Sequence, residues 1–246
     1  MQFIADAGLK KIENSIFQDW DRLLGGKLNS GIIILRSSRS FVSLNPNILE
    51  KITNLSTYNL SFNAGSYNLQ NLKYKAYLKN NTPPKIIIQN IDMAHFTESN
   101  RIPTPYQFIP FLDDKNLQSG LVCYFDEYLL KTSLPLYKYN SEHRLLLKGI
   151  QSFFGRTYIL FPTVKGFSSK NISFKRDSSN IERLKSLEKE SINQTKYRKG
   201  IISIENLVHT PKISQTLVVL IWLPEYLERL ELNKELRLYL KNQIKK

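Results

Sequence analysis

The 246-residue chain carries 35 Lys and Arg against 21 Asp and Glu, for a formal net charge of +14, and 41% of its residues are hydrophobic. That length and apolar content can fill the core of one large α/β domain, while the lone cysteine, Cys123, excludes an intramolecular disulfide. No run approaches the roughly 18 apolar residues of a transmembrane helix, and Met1-Gln-Phe-Ile-Ala-Asp6 has neither the basic leader nor the apolar centre of a signal peptide, so the chain as written is expected to be soluble.

The basic residues are scattered, with short clusters only near Lys196 to Lys199 and at the carboxyl end. Scattered charge reads as solvated surface rather than as a nucleic-acid-binding face. Cys123, inside Leu121-Val-Cys-Tyr-Phe125, reads as a buried small hydrophobe.

Along the chain, Ile12, Ile16, Phe17, Trp20, Leu23 and Leu24 recur at helical spacing and Gly25-Gly26 closes the run, which predicts one amphipathic helix over 12–24. Ile32 to Leu35 is a continuous apolar strand that stops at Arg36-Ser-Ser-Arg-Ser40. Asn45 then caps a helix beginning at Pro46 and running through Ile52. A second strand is predicted over about 57–62, a turn at Asn63-Ala-Gly-Ser66, and a helix from Leu69 to Leu78 that Asn80-Asn-Thr-Pro-Pro84 ends. The third strand, Lys85 to Ile91, is apolar through its first half, as a parallel strand covered on both faces should be. Strands alternating with helices predict a parallel sheet with right-handed crossovers.

Residues 95–210 lose this rhythm and read as an irregular, mostly helical insertion within a single domain spanning 1–246. Prolines at 103, 105 and 110 break its opening, with helices expected at 117–130, 145–154 and 181–192. Regularity returns with a fourth strand over 216–223, then Pro224 and a final helix bearing Tyr226, Leu227, Leu230, Leu236 and Leu240.

Three separated histidines and one cysteine make no zinc spacing, no glycine-rich phosphate loop is present, and Asp113-Asp114 sits in turn-like sequence. No metal and no nucleotide cofactor is therefore expected. Ser38 at the end of the first strand lies where ligands bind in open α/β sheets, although a hydroxyl there is also an ordinary turn former. Arg39 reads as an organiser of that turn, and His143 and His209 as surface or capping residues.

The motifs Ile-Leu-Arg-Ser-Ser-Arg-Ser at 34–40, Tyr-Asn-Leu-Ser-Phe-Asn-Ala-Gly-Ser at 58–66, Lys-Ile-Ile-Ile-Gln-Asn-Ile-Asp at 85–92 and Val-Val-Leu-Ile-Trp-Leu-Pro-Glu-Tyr at 218–226 occur in an informative order. It resembles the SGNH hydrolase superfamily of GDSL-type esterases and acetyltransferases, closest to an uncharacterised bacterial branch with a Ser-Ser-Arg first block. The resemblance implies a three-layer α/β/α flavodoxin-like fold with a mainly parallel sheet. It puts Ser38 at the nucleophile position, the backbone N–H of Gly65 in the oxyanion hole, and Asn90 nearest the asparagine that completes it. It implies an ester hydrolase or acyl transferase acting on a small-molecule or glycan ester, without cofactor.

Two departures stand beside it. Arg36 occupies the place of a family glycine, and the Asp-x-x-His block expected after the last strand does not precede Lys246. A literal Asp92-Met-Ala-His95 instead follows the third strand, where a strand-end loop is its ordinary reading. The alternative expectation is an inactive or shortened relative that binds an anionic or carbohydrate ligand.

Overall fold

The computed structural model describes residues 1–35, 38–61, 67–91, 102, 104–168, 194–208, 215–224, 230–231 and 234–244, and the structural statements below concern these. The chain has an α/β fold on a four-stranded, all-parallel sheet of the flavodoxin-like three-layer type, with strand order β2-β1-β3-β4. The strands are β1 (Ile32–Leu35), β2 (Thr57–Asn59), β3 (Ile86–Asn90) and β4 (Leu217–Ile221).

All four residues of β1 are buried. Side chains of a strand alternate between faces, so this strand is covered on both, which its unbroken run of branched apolar residues suits. Ile33 and Leu35 join the larger core cluster with Phe17, Trp20 and Leu23, while Ile32 and Ile34 are equally buried on the other face. Burying each such side chain contributes about 2 kcal/mol.

The helices are α1 (Gln2–Lys11), α2 (Ile16–Leu24), α3 (Ser38–Ser43), α4 (Pro46–Thr53), α5 (Tyr67–Asn80), α6 (Lys115–Leu121), α7 (Tyr128–Ser133), α8 (His143–Phe153), α9 (Gln194–Val208) and α10 (Lys234–Ile244). Parallel neighbours need crossovers, and α3 with α4 joins β1 to β2, while α5 joins β2 to β3. Asn45 caps α4 as its sequence predicts, its side-chain oxygen accepting from Asn47 N at 2.9 Å.

Several expectations are corrected. The predicted helix over 12–24 begins only at Ile16, because Asn14 takes a left-handed conformation and Ser15 caps α2 by accepting from Gln18 N. The preceding α1 was hidden by its weak apolar periodicity. The predicted helix over 117–130 is two helices, α6 and α7, separated by a turn. Cys123 is exposed rather than buried, since α6 ends at Leu121 and the apolar run continues past the helix into that turn. Prolines 105 and 110 sit in a 3-10 helix, Pro105–Phe111, and α9 runs where no helix is predicted. The predicted helix over 181–192 lies outside the described residues.

Two close approaches hold the periphery. A β-carbon on Gly8 of α1 would lie 1.8 Å from the Gly149 carbonyl oxygen of α8, so these helices touch backbone to backbone. Beside them, the buried Lys138 ammonium pairs with Asp6 at 2.9 Å and Asp113 at 3.0 Å. On the other flank, residues 162–168 form a strap along β2. Thr163 N donates to Asn14 O at 2.8 Å, Asn59 N donates to Lys165 O at 2.9 Å, and Ser168 N donates to Phe41 O at 3.1 Å. Gly166 adopts φ +73°, and a β-carbon there would sit 1.9 Å from the Asn59 carbonyl oxygen. The strap covers an edge strand that would otherwise present unpaired amides.

Candidate functional site

The sheet register assembles the site. Ile34 pairs with Asn59 on one side, and Leu35 pairs with Gln89 on the other. The carboxyl ends of β1, β2 and β3 therefore lie side by side at one edge, at the strand around which the order reverses. Open α/β sheets bind ligands at such a place.

A cavity of about 350 Å³ opens there. Ser38 lines it as the first residue of α3, three positions past β1, and is half-buried. Ser61, two positions past β2, lines it as well and is 2% exposed. Its hydroxyl has no hydrogen-bond partner among the described residues. Arg39 follows Ser38 on the lining.

Two further lining residues, Asp19 of α2 and Lys73 of α5, are charged side chains inside the fold. Asp19 Oδ1 accepts from the Tyr58 hydroxyl, and Oδ2 accepts from Thr163 Oγ1 at 2.6 Å. Burial raises the Asp19 carboxyl above its ordinary value, while the bonds from Thr163 and Tyr58 and the charges of Lys73 and Arg22 oppose this. Burial likewise lowers the Lys73 ammonium to about 8, with the Asp19 charge pulling the other way. Burial and then the Asp19 charge raise the Tyr58 phenol.

The Lys73 ammonium lies 5.2 Å from the centroid of the Trp20 ring. That indole donates to Gln107 Oε1 at 3.1 Å, and Gln107 Nε2 donates to Thr104 O at 2.9 Å. Phe161, just before the strap, stacks on Tyr106 of the 3-10 helix with centroids 4.2 Å apart and planes inclined 19°, and both line the cavity. The cavity thus joins a strand-end hydroxyl to a buried hydroxyl, an ammonium and an aromatic wall. Such a set can hold a carbonyl or carboxylate oxygen beside Ser38.

The other sequence candidates are placed less centrally. Asn90 ends β3 fully buried, and its side-chain oxygen accepts from Leu223 N at 3.4 Å; it is not on the cavity lining. His143 is the exposed first residue of α8 and does not line the cavity. Gly65, Arg36, Asp92, His95 and His209 lie outside the described residues. Among the described residues, no three His, Cys, Asp or Glu side chains converge as a metal site, and no helix is long and apolar enough to cross a membrane.

Sequence reasoning gave no site role to Asp19 or Lys73. Each had a signal: Asp19 falls three residues after Ile16 on the apolar stripe of α2, and Lys73 falls four residues from both Leu69 and Tyr77. A charge on an apolar stripe is either solvated at its tip or held by partners, and the pattern alone does not choose. Compared with protein-family models, with curated proteins and with solved structures, the chain matches none of them.

Proposed function

We propose that the chain is an SGNH-type serine esterase or acyl transferase acting on a small-molecule or glycan ester. The observation that carries this reading is Ser38 itself, a half-buried hydroxyl at the carboxyl edge of the central strand, opening onto a cavity between adjacent strand ends. In this reaction Ser38 Oγ attacks the ester carbonyl carbon while a base takes its proton. The tetrahedral intermediate collapses to an acyl-serine, and the alkoxide leaves as the alcohol after regaining that proton. Water then releases the acid, or a second alcohol takes the acyl group, and the serine hydroxyl is restored.

Backbone and side-chain donors that face the developing oxyanion account for about 3 kcal/mol each in such enzymes. The resemblance assigns that role to Gly65 N–H and the Asn90 amide. What supports Asn90 is its place at the carboxyl end of the strand beside β1, one residue beyond the register partner of Leu35, although it does not line the cavity onto which Ser38 opens.

The test is release of p-nitrophenol from its acetate ester by wild-type protein and by Ser38→Ala. Wild-type turnover that falls to the buffer background in Ser38→Ala is expected, with Asn90→Ala lowering kcat by about a hundredfold. Absence of wild-type turnover, or full activity in Ser38→Ala, would sink the proposal.

A further inference from the structure

We infer that the cavity is a binding site for a small monocarboxylate bearing an aromatic or branched apolar arm, with its carboxylate taken by the Lys73 ammonium and the Ser61 hydroxyl. The inference goes beyond ester chemistry, because such binding requires no reaction at Ser38.

Three observations converge on it. Ser61 is 2% exposed, lines the cavity, and its hydroxyl has no partner among the described residues. Buried hydroxyls are almost always hydrogen-bonded, so an acceptor in the cavity completes this one. Lys73 brings an ammonium into the same space, where low polarity strengthens its attraction for an anion. The Tyr106 and Phe161 stack, with Ile16 and Val42, adds apolar surface to the same lining. A volume of about 350 Å³ is at the small end of ligand sites and suits a ring or short branched chain rather than a long acyl tail.

Asp19 decides the charge of the ligand. Both its oxygens already accept hydrogen bonds, from Tyr58 and Thr163, so it has less need of a cationic ligand. Its carboxylate still lies on the lining, where a second negative charge on the ligand would be repelled. The site therefore favours a carboxylate over a phosphate dianion.

Asp19 of α2 acts directly on Lys73, Arg22 of α2 and Tyr58 of β2 act on Asp19, and Arg39 of α3 and Tyr106 of the 3-10 helix line the same cavity. Burial raises both phenols, so they stay protonated. Lys73 loses its proton near pH 8, and loss of a proton by Asp19 acts in the same direction. Carboxylate affinity therefore falls as pH rises from about 7 to about 9.5, and binding at about pH 8.5 is accompanied by proton uptake.

Isothermal titration calorimetry with phenylacetate as probe tests this, with phenylacetamide, phenethylamine and inorganic phosphate as comparators. The expected result is saturable one-to-one binding of phenylacetate, at least about tenfold tighter than any comparator. Binding should weaken about tenfold or more in Lys73→Met. Equal affinity for the amide, tighter binding of phosphate, no saturable phenylacetate binding, or full affinity in folded Lys73→Met would each overturn it. Should Lys73→Met not fold, the wild-type protein decides, since pH-independent affinity without proton uptake contradicts the inference. Ester turnover without phenylacetate binding would leave the esterase reading standing and remove this one, and binding without turnover would do the reverse.

Discussion

Lys73 is 4% exposed, and burial lowers its ammonium from 10.5 to about 8. Below about pH 8 the native and unfolded chains both carry the proton, and the native state bears the cost of holding that charge away from water. Between about 8 and 10.5 the unfolded chain still binds a proton that the native chain has lost, so stability rises with pH across that window. The rise amounts to something on the order of 3 kcal/mol once the window is crossed. Urea unfolding at about pH 7 and about pH 10 should show that gain in the wild-type protein and not in Lys73→Met. An equal gain in both would mean that Lys73 titrates as a solvated lysine. Asp19 acts with the opposite sign: between 3.8 and its raised value the native chain keeps a proton that the unfolded chain has released, so stability falls as pH rises through that range.

At the level of elements, the contact of α1 with α8 is the most sterically exacting. Gly8→Ala would gain about 1 kcal/mol from helix propensity. The new methyl group would sit 1.8 Å from a carbonyl oxygen belonging to a helix backbone, which cannot rotate aside. Overpacking of that kind costs about 1–3 kcal/mol or more, so the steric term wins. Gly8→Ala is expected to destabilise the protein by about 2 kcal/mol in chemical unfolding, whereas net stabilisation would show that the helices part readily. The contact of Gly8 with Gly149 is not legible in the sequence, because it matters only once the two helices are known to meet. The elements that were legible carry their own local instructions. Ile32 to Leu35 reads as a buried strand from its unbroken branched residues, and Asn45-Pro46 reads as a helix start from cap chemistry. Cys123 shows the limit of such reading: an apolar pentapeptide predicts burial, but the helix ends at its first residue, and only Leu121 is fully buried while Tyr124 and Phe125 pack partly buried against the core.

For the whole molecule, the parallel sheet was legible because strand and helix patterns alternate through residue 91. The strand register was not, and it is the register that sets the ends of β1, β2 and β3 beside one another. The same division holds at the site. Ser38 could be singled out from a strand ending in hydroxyls, whereas the pairing of Asp19 with Lys73, Tyr58 and Thr163 joins residues distant in sequence that only folding brings together. The esterase reading requires the Ser38 hydroxyl, just past β1, to be chemically competent. Exposure of the folded protein to a fluorophosphonate, followed by proteolysis and mass spectrometry, reads this directly. One phosphonyl adduct is expected, located on Ser38 and absent from Ser38→Ala; an unmodified chain, or an adduct on another serine such as Ser61, would overturn the esterase reading.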